Sequence, residues 1–377
     1  MKCILMYILI LISIFTYGQE RNKFQFDGQL SALGSYSPDI HLNSFIGGRY
    51  LPELSYGFSI DTTRKIDFEA SMNISGSLLF HPFDSLQHDG RISPYRVWAR
   101  YSGRQLEIRL GLQKIDFGSA RLLRPIQWFN QIDPRDPLQL TNGVYGALGK
   151  YHFKNNANIW LWALYGNNKK RGFDSFETSK WEPEIGGRFQ FPVPKGEVAL
   201  SYHYRNTTTE NTLILPTHSH IPENRIGIDA KWNAIVGIWV EATWIHKSGN
   251  LLGQFNDQTL ANIGVDYTFG IGNGLGVAME HLILTLDESP LRFEEVTHFS
   301  AATLSYPIGL FDNLSAVVFY NWRSGDPTFL INFQHQFEHL TTYLMVYYNP
   351  PLSGFVQNDL VNTFSGPGVR LMLVYNH

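Results

Sequence analysis

The sequence predicts an all-β chain: a transmembrane antiparallel β-barrel of about 18 strands, or 16 if two weak segments are loops. Three observations predict it. Apolar and polar residues alternate with period two almost throughout, and no helical period is sustained. The alternating segments run to about ten or twelve residues, against about five or six in a typical globular strand, and about ten tilted residues cross a bilayer. The connections alternate between short and long, as they do when one rim carries tight turns and the other carries loops.

Composition narrows the class. Of 377 residues, 44% are apolar and 14% aromatic, too many for a disordered chain, and a single cysteine excludes a disulfide scaffold. A net charge of -3 provides no basic field for nucleic acid. One long apolar run exists, at the N-terminus. Met1-Lys2 is a short positive region, Ile4 to Phe15 is apolar, and Thr16 and Gly18 suit a cleavage site before Gln19. Residues 1–18 therefore read as a signal peptide, the alternative being an uncleaved anchor, and residues 19–377 as one barrel domain. Cys3 precedes the apolar run, so it is not a lipoprotein cysteine, and cleavage leaves no cysteine at all.

The strands follow in order. Ile66 to Ile74 sets Ile, Phe, Ala, Met and Ile on one face against Asp67, Glu69, Ser71 and Asn73 on the other. Leu106 to Gln113, Ile185 to Phe191, Ile226 to Trp232 and Phe329 to Phe337 repeat the pattern, and Val369 to Tyr375 closes the series with Arg370 facing in. Tyr202, Tyr204, Trp232, Trp244, Tyr267, Phe269, Tyr320, Trp322, Tyr347 and Tyr348 stand near segment ends, where girdles at the two membrane interfaces belong. Short turns fall at 61–65, 102–104, 154–156, 192–195, 233–234, 270–273, 307–313 and 338–339. Longer connections fall near 35–43, 81–90, 115–142, 167–182, 207–222, 248–257, 286–296, 324–326 and 350–363. Both termini then lie at the short-turn rim, and an even strand number leaves no free edge in lipid. Ending on such a strand resembles the assembly signal of outer-membrane proteins, although Asn376-His377 lacks the usual terminal aromatic.

Alternation turns Asp67, Glu69, Arg96, Arg100, Glu107, Arg109 and Gln113 into the lumen. Glu184, Arg188, Glu197, His203, Arg205, Arg225, Asp229, Lys231, Glu241, Asp266, Glu280 and Arg370 follow them around the wall. A barrel this wide is not filled by wall side chains alone, so the lumen is wet or occupied by loops. Arg96, Arg100 and Arg109 facing Asp67 and Glu69 would orient polar solutes; the plainer reading is that these charges pair and stabilise the wall. The longest internal loop carries Arg121, Trp128, Asp133, Arg135 and Asp136 among its prolines. Trp128 and Phe129 suit a loop folded inward to narrow the passage, the alternative being an outward cap.

Gly111-Leu112-Gln113 with Gly118, Arg121, Trp128 and Asp133 resembles the Gly-x-Gln, Gly, Arg, Trp, Asp pattern of alginate-export-type porins and related barrel families. The resemblance covers about forty residues and implies an eighteen-stranded outer-membrane channel. The mixed lumen charge departs from the strongly basic lumen of an alginate exporter.

Weaker signals do not build a site. His218 and His220 have no third ligand nearby, Ser201 and His203 no assignable acid, and Gly270-Ile271-Gly272-Asn273-Gly274 no following lysine or helix. The expectation is a non-enzymatic outer-membrane channel of a Gram-negative cell, without cofactor or metal. Its partners would be outer-membrane lipid and small hydrophilic solutes or oligosaccharides. A homo-oligomer or an envelope-protein partner stays open, and nucleic acid is not expected. The alternative is a non-conducting barrel serving as a scaffold or surface-binding subunit.

Overall fold

In the computed structural model the described residues are 22–39, 41–82, 86–210, 217–249, 251, 256–289, 292–350 and 366–377. The expected signal peptide and almost all of the expected loop at 350–363 lie outside them.

Nineteen strands occur among these residues. The first half holds β1 (Asn22–Tyr36), β2 (Ser44–Ser59), β3 (Lys65–Phe80), β4 (Leu86–Ser102), β5 (Leu106–Gln113), β6 (Val144–His152) and β7 (Asn158–Leu164). Then come β8 (Glu177–Thr178), β9 (Glu184–Val193), β10 (Gly196–Thr208), β11 (Ile221–Asn233), β12 (Gly237–Lys247) and β13 (Asp257–Phe269). The last are β14 (Leu275–Asp287), β15 (Val296–Pro307), β16 (Asp312–Asn321), β17 (Asp326–Gln336), β18 (Leu340–Asn349) and β19 (Gly366–Asn376). The two-residue β8 sits in a loop and pairs only with the end of β10. The other eighteen run antiparallel in chain order, and β1 pairs with β19 to close the ring.

Closure gives every wall strand two neighbours. In hydrocarbon an unpaired backbone group costs several kcal/mol, so this is the condition for spanning at all. The outward rows are apolar: Phe68, Met72, Ile74 and Leu78 on β3, and Val369, Leu371, Leu373 and Tyr375 on β19, are all exposed. The inward rows mix polar side chains, as on β3 and β11, with buried apolar ones such as Trp162, Leu282, Phe319, Leu330, Met345 and Met372.

Three details differ from the sequence reading. Strands β1 to β4 reach 15 to 17 residues, so the second half of the expected loop at 81–90, residues 86–90, is strand β4. The polar, glycine-bearing run Gln87-His88-Asp89-Gly90 looks like a loop because it carries no apolar side chain on either face. Tyr347 is not a girdle residue: it points inward, 3% exposed, with Arg370 above its ring. A bulge opposite Ser71/Met72 adds Tyr95 to β4. Below it Arg96 and Arg100 face in; above it Arg91 and Ser93 lie opposite Ser75 and Asn73 and share their inward row.

Candidate functional site

The third external connection, residues 114–143 between β5 and β6, lies inside the barrel. Two wall carboxylates seat it. Glu241 accepts the backbone N–H groups of Ser119 (3.0 Å), Ala120 (3.0 Å) and Ile126 (2.7 Å). Glu280 accepts those of Arg121 (2.7 Å), Leu122 (3.1 Å) and Leu123 (2.6 Å), and also Trp239 Nε1 (3.1 Å). Loop N–H groups that strand pairing leaves open are thus satisfied by charged acceptors, the stronger kind. Gly118 makes the first turn possible. Its φ is +108°, and a Cβ there would stand 2.6 Å from Glu241 Oε2.

Apolar packing completes the seat. Ile115, Phe117, Ile126, Trp128 and Phe129 bury themselves against Val144, Leu148, Trp162 and Leu164 of β6 and β7. Trp162 Nε1, which can only donate, gives its hydrogen to His203 Nδ1 (3.1 Å), so His203 Nε2 donates to Glu184 (3.2 Å). The next external connection, 165–183, also turns in. Its Asp174 accepts from Arg205 (2.7 Å) and Arg225 (2.6 Å), and Glu223 accepts from the same two guanidinium groups (2.6 and 2.7 Å). The two loops therefore fill the side of the lumen bounded by β7 to β15.

Two cavities lie on the other side. One, of about 860 Å³, opens at the short-turn rim and is lined by Ser55, Asp67, Glu69, Trp98 and Arg100 among others. The second is a narrow gap of about 100 Å³ between the loop tip, Asp136 to Leu138, and the wall of β18, β19 and β1 to β4. Small side chains at Ser31, Gly47, Ser75 and Ser77 leave that gap open.

The sequence-derived candidates distribute as follows. Arg100 donates to Asp67 (3.0 Å) and Arg109 to Glu107 (3.3 Å), and both guanidinium groups lie over the Trp98 ring, at 5.3 and 4.7 Å. Glu69 is half-buried in the same vestibule. Arg96 binds Thr141 O (2.9 Å) and so ties down the end of the loop. Gln113 is wholly buried, donating to Arg109 O (3.2 Å) and Gly146 O (3.0 Å); a φ of +119° at Gly111 breaks the alternation just before it. Trp128, 2% exposed, packs in the loop's core and lines neither cavity. Arg121 bends to Asp266 (2.6 Å), with its guanidinium 5.1 Å from the Trp239 ring. Asp133 and Arg135 are a buried pair (2.9 Å), and Arg135 also donates to Asn349 (3.1 Å). Of the loop candidates, Asp136 faces the gap.

No family model matches the chain, and no curated protein matches it. Solved structures do. OmpT, an outer membrane protein of Vibrio cholerae in trimer form, has a TM-score of 0.54 at 10% identity, over 95% of this chain and 100% of that one. OccAB4 of Acinetobacter baumannii gives 0.52 at 10% identity, over 95% and 98%. OccD3 (OpdP) of Pseudomonas aeruginosa gives 0.57 at 8% identity, over 94% and 91%. The chain shares the closed antiparallel barrel fold of these proteins. Identities this low extend no further than the fold.

Within that barrel, the residues that set the shape of the lumen include four outside the candidate set. Glu241 and Glu280 are visible in the sequence as inward carboxylates, and nothing there sets them apart from the other inward acids. Arg49 and Arg370 line the gap with Asp136. Arg370 lies in the inward row of β19; Arg49 follows Gly47-Gly48, which blurs the alternation of β2.

Electrostatics on the loop separate two aspartates. Burial pushes Asp136 above the ordinary carboxylate range, with the nearby Asp133 adding to the rise. Burial pushes Asp116 the same way, but the Arg124 guanidinium at 2.6 Å and Lys114 at 3.2 Å outweigh it and hold Asp116 low.

Proposed function

We propose that the chain is a passive outer-membrane channel for small hydrophilic solutes, including short oligosaccharides, exported by way of residues 1–18 and catalysing no reaction. The observation that carries the reading is the asymmetry of the lumen. Residues 119–126 of the third loop are held against β12 and β14 by Glu241 and Glu280, and its later residues cross to β18 and β4 through Arg135–Asn349 and Thr141–Arg96. A charged vestibule and a gap beside small wall residues lie on the side of β1 to β4. A loop that narrows a passage without filling it is what selective diffusion requires.

The alginate-type motif supports the loop's architecture more than its cargo. Gly118 serves a backbone turn, Trp128 the loop core and Asp133 a buried ion pair, whereas Asp67 and Glu69 in the vestibule oppose passage of a polyanion. The deeply buried ion pairs at Asp174, Arg205, Arg225 and Glu223 favour a second reading, in which the loops plug the barrel and it serves as a scaffold. Single-channel recording of the refolded, signal-free chain in a planar bilayer separates the two. Steady open steps are expected; a folded, heat-modifiable barrel that never conducts is the scaffold.

A further inference from the structure

We propose that the gap at the tip of the third loop is a binding site for an apolar zwitterion, meaning an α-amino acid or dipeptide with an apolar side chain. The proposal rests on the channel reading and names what that channel selects.

The gap joins three kinds of surface that one such solute would satisfy together. Arg49 and Arg370 provide guanidinium groups from β2 and β19. A carboxylate entering the gap would match the guanidinium forks that line it. Opposite charge is present as well: Asp136 comes from the loop and Asp89 from β4. A free carboxylate alone would be opposed by both aspartates, whereas an α-ammonium group beside the carboxylate turns them into partners. Between the charges the lining is apolar, with Leu33, Phe45, Leu138, Met345 and Met372. A branched or thioether side chain fits that apolar patch, and the methionines adapt to its shape.

Size agrees. A water needs roughly 10–15 Å³ of such space, so about 100 Å³ holds on the order of seven to ten waters, close to the bulk of a leucine or a small dipeptide. The gap is narrow at the loop tip, where a bound solute would meet all of these groups on its way through.

The test uses the refolded full-length barrel in a planar bilayer, with L-leucine, 4-methylpentanoate, isopentylamine and glucose added in turn. Leucine should interrupt the current at concentrations at least tenfold lower than the other three. The Arg49→Gln/Arg370→Gln double variant should weaken that block at least tenfold, and Asp136→Asn should erase the advantage of leucine over 4-methylpentanoate. Arg370→Lys keeps the charge and controls for folding. Equal block by 4-methylpentanoate would reduce the site to one for organic anions, and equal block by glucose to a steric constriction; either overturns the proposal. Calorimetry of leucine with the same barrel in detergent reads binding without conductance. Heat without conductance would remove the channel reading and keep the site; conductance with neither block nor heat would remove the site and keep the channel.

Discussion

Arg100 and Arg109 lie on either side of Trp98 in the vestibule, and each already has a carboxylate partner in Asp67 or Glu107. Reversing either charge turns a pair into two like charges, so Arg100→Glu or Arg109→Glu should raise cation over anion permeability roughly twofold or more. The reversal potential under a salt gradient reads this directly, and an unchanged value in a conducting pore would remove both from the lining. Asp136 gives a pH dependence. Burial raises its pKa, so its charge disappears at a higher pH than a free carboxylate would require. As pH falls, the gap, which also faces Arg49 and Arg370, becomes more positive. Anion selectivity should therefore begin to climb at a higher pH than ordinary carboxylates would dictate, and Asp136→Asn should show the acid-side selectivity before that rise begins. At this scale alternation was informative for wall residues, since a period of two assigns Asp67 and Arg100 to the lumen without any structure. It says nothing of loop residues. Trp128 was legible as folded inward but not as core rather than lining, because a loop has no period to show which side chain faces the passage.

The third loop as an element depends on two carboxylates that no sequence rule distinguishes from the other inward acids. Glu241 and Glu280 sit on β12 and β14 with the spacing of any lumen residue, and only the docked backbone of residues 118–126 reveals their work. Hydrogen bonds to a charged acceptor contribute about 1.5–3 kcal/mol each, against about 0.5–1.5 for neutral ones. Glu241→Gln/Glu280→Gln keeps the shape but removes both charges, weakening the seat by several kcal/mol. The loop should loosen while the barrel stays folded. Two readouts follow: a noisier open current, and trypsin cleavage after Arg121, whose backbone N–H is held by Glu280 in the parent chain; Arg124 precedes Pro125 and is no trypsin site. Gly118→Ala should act in the same direction, since its Cβ would meet Glu241. A double variant as quiet and as protease-resistant as the parent would show that the aromatic packing of Phe117, Trp128 and Phe129 seats the loop alone. Strand β4 is the converse case, an element misread where lipid contact ceases: its outer half carries Gln87, His88 and Asp89, polar and exposed, so hydropathy ends before the strand does.

The whole barrel was legible because its eighteen wall strands share an apolar outward row of period two, so errors at one strand do not propagate to the count. What the sequence left unexplained was how the ring is sealed when the chain ends in histidine. In the structure His377 takes part in the seam. Its N–H and C=O exchange hydrogen bonds of 3.0 Å with Gly28 on β1, and its ring stacks on Tyr50 at 5.9 Å and lies 5.6 Å from Phe26. Gly28 is what admits it, because a Cβ there would stand 2.4 Å from His377 Nε2. The two ring contacts contribute about 0.5–1.5 kcal/mol each and the exposed Tyr50 hydroxyl at 3.1 Å adds little, so His377→Ala should cost the closed ring about 1–3 kcal/mol. Each 1.36 kcal/mol is tenfold in rate, which places the expected acceleration of unfolding between roughly fivefold and a hundredfold. The rate at which the heat-modifiable band converts in detergent measures it. His377→Phe should stay close to the parent, because an aromatic ring can occupy the glycine-lined slot without the hydrogen bond, and Gly28→Leu should resemble His377→Ala by displacing the ring. An alanine variant that converts at the parental rate would mean that the β1–β19 ladder from Gln29 to Tyr36 closes the barrel without help from its last residue.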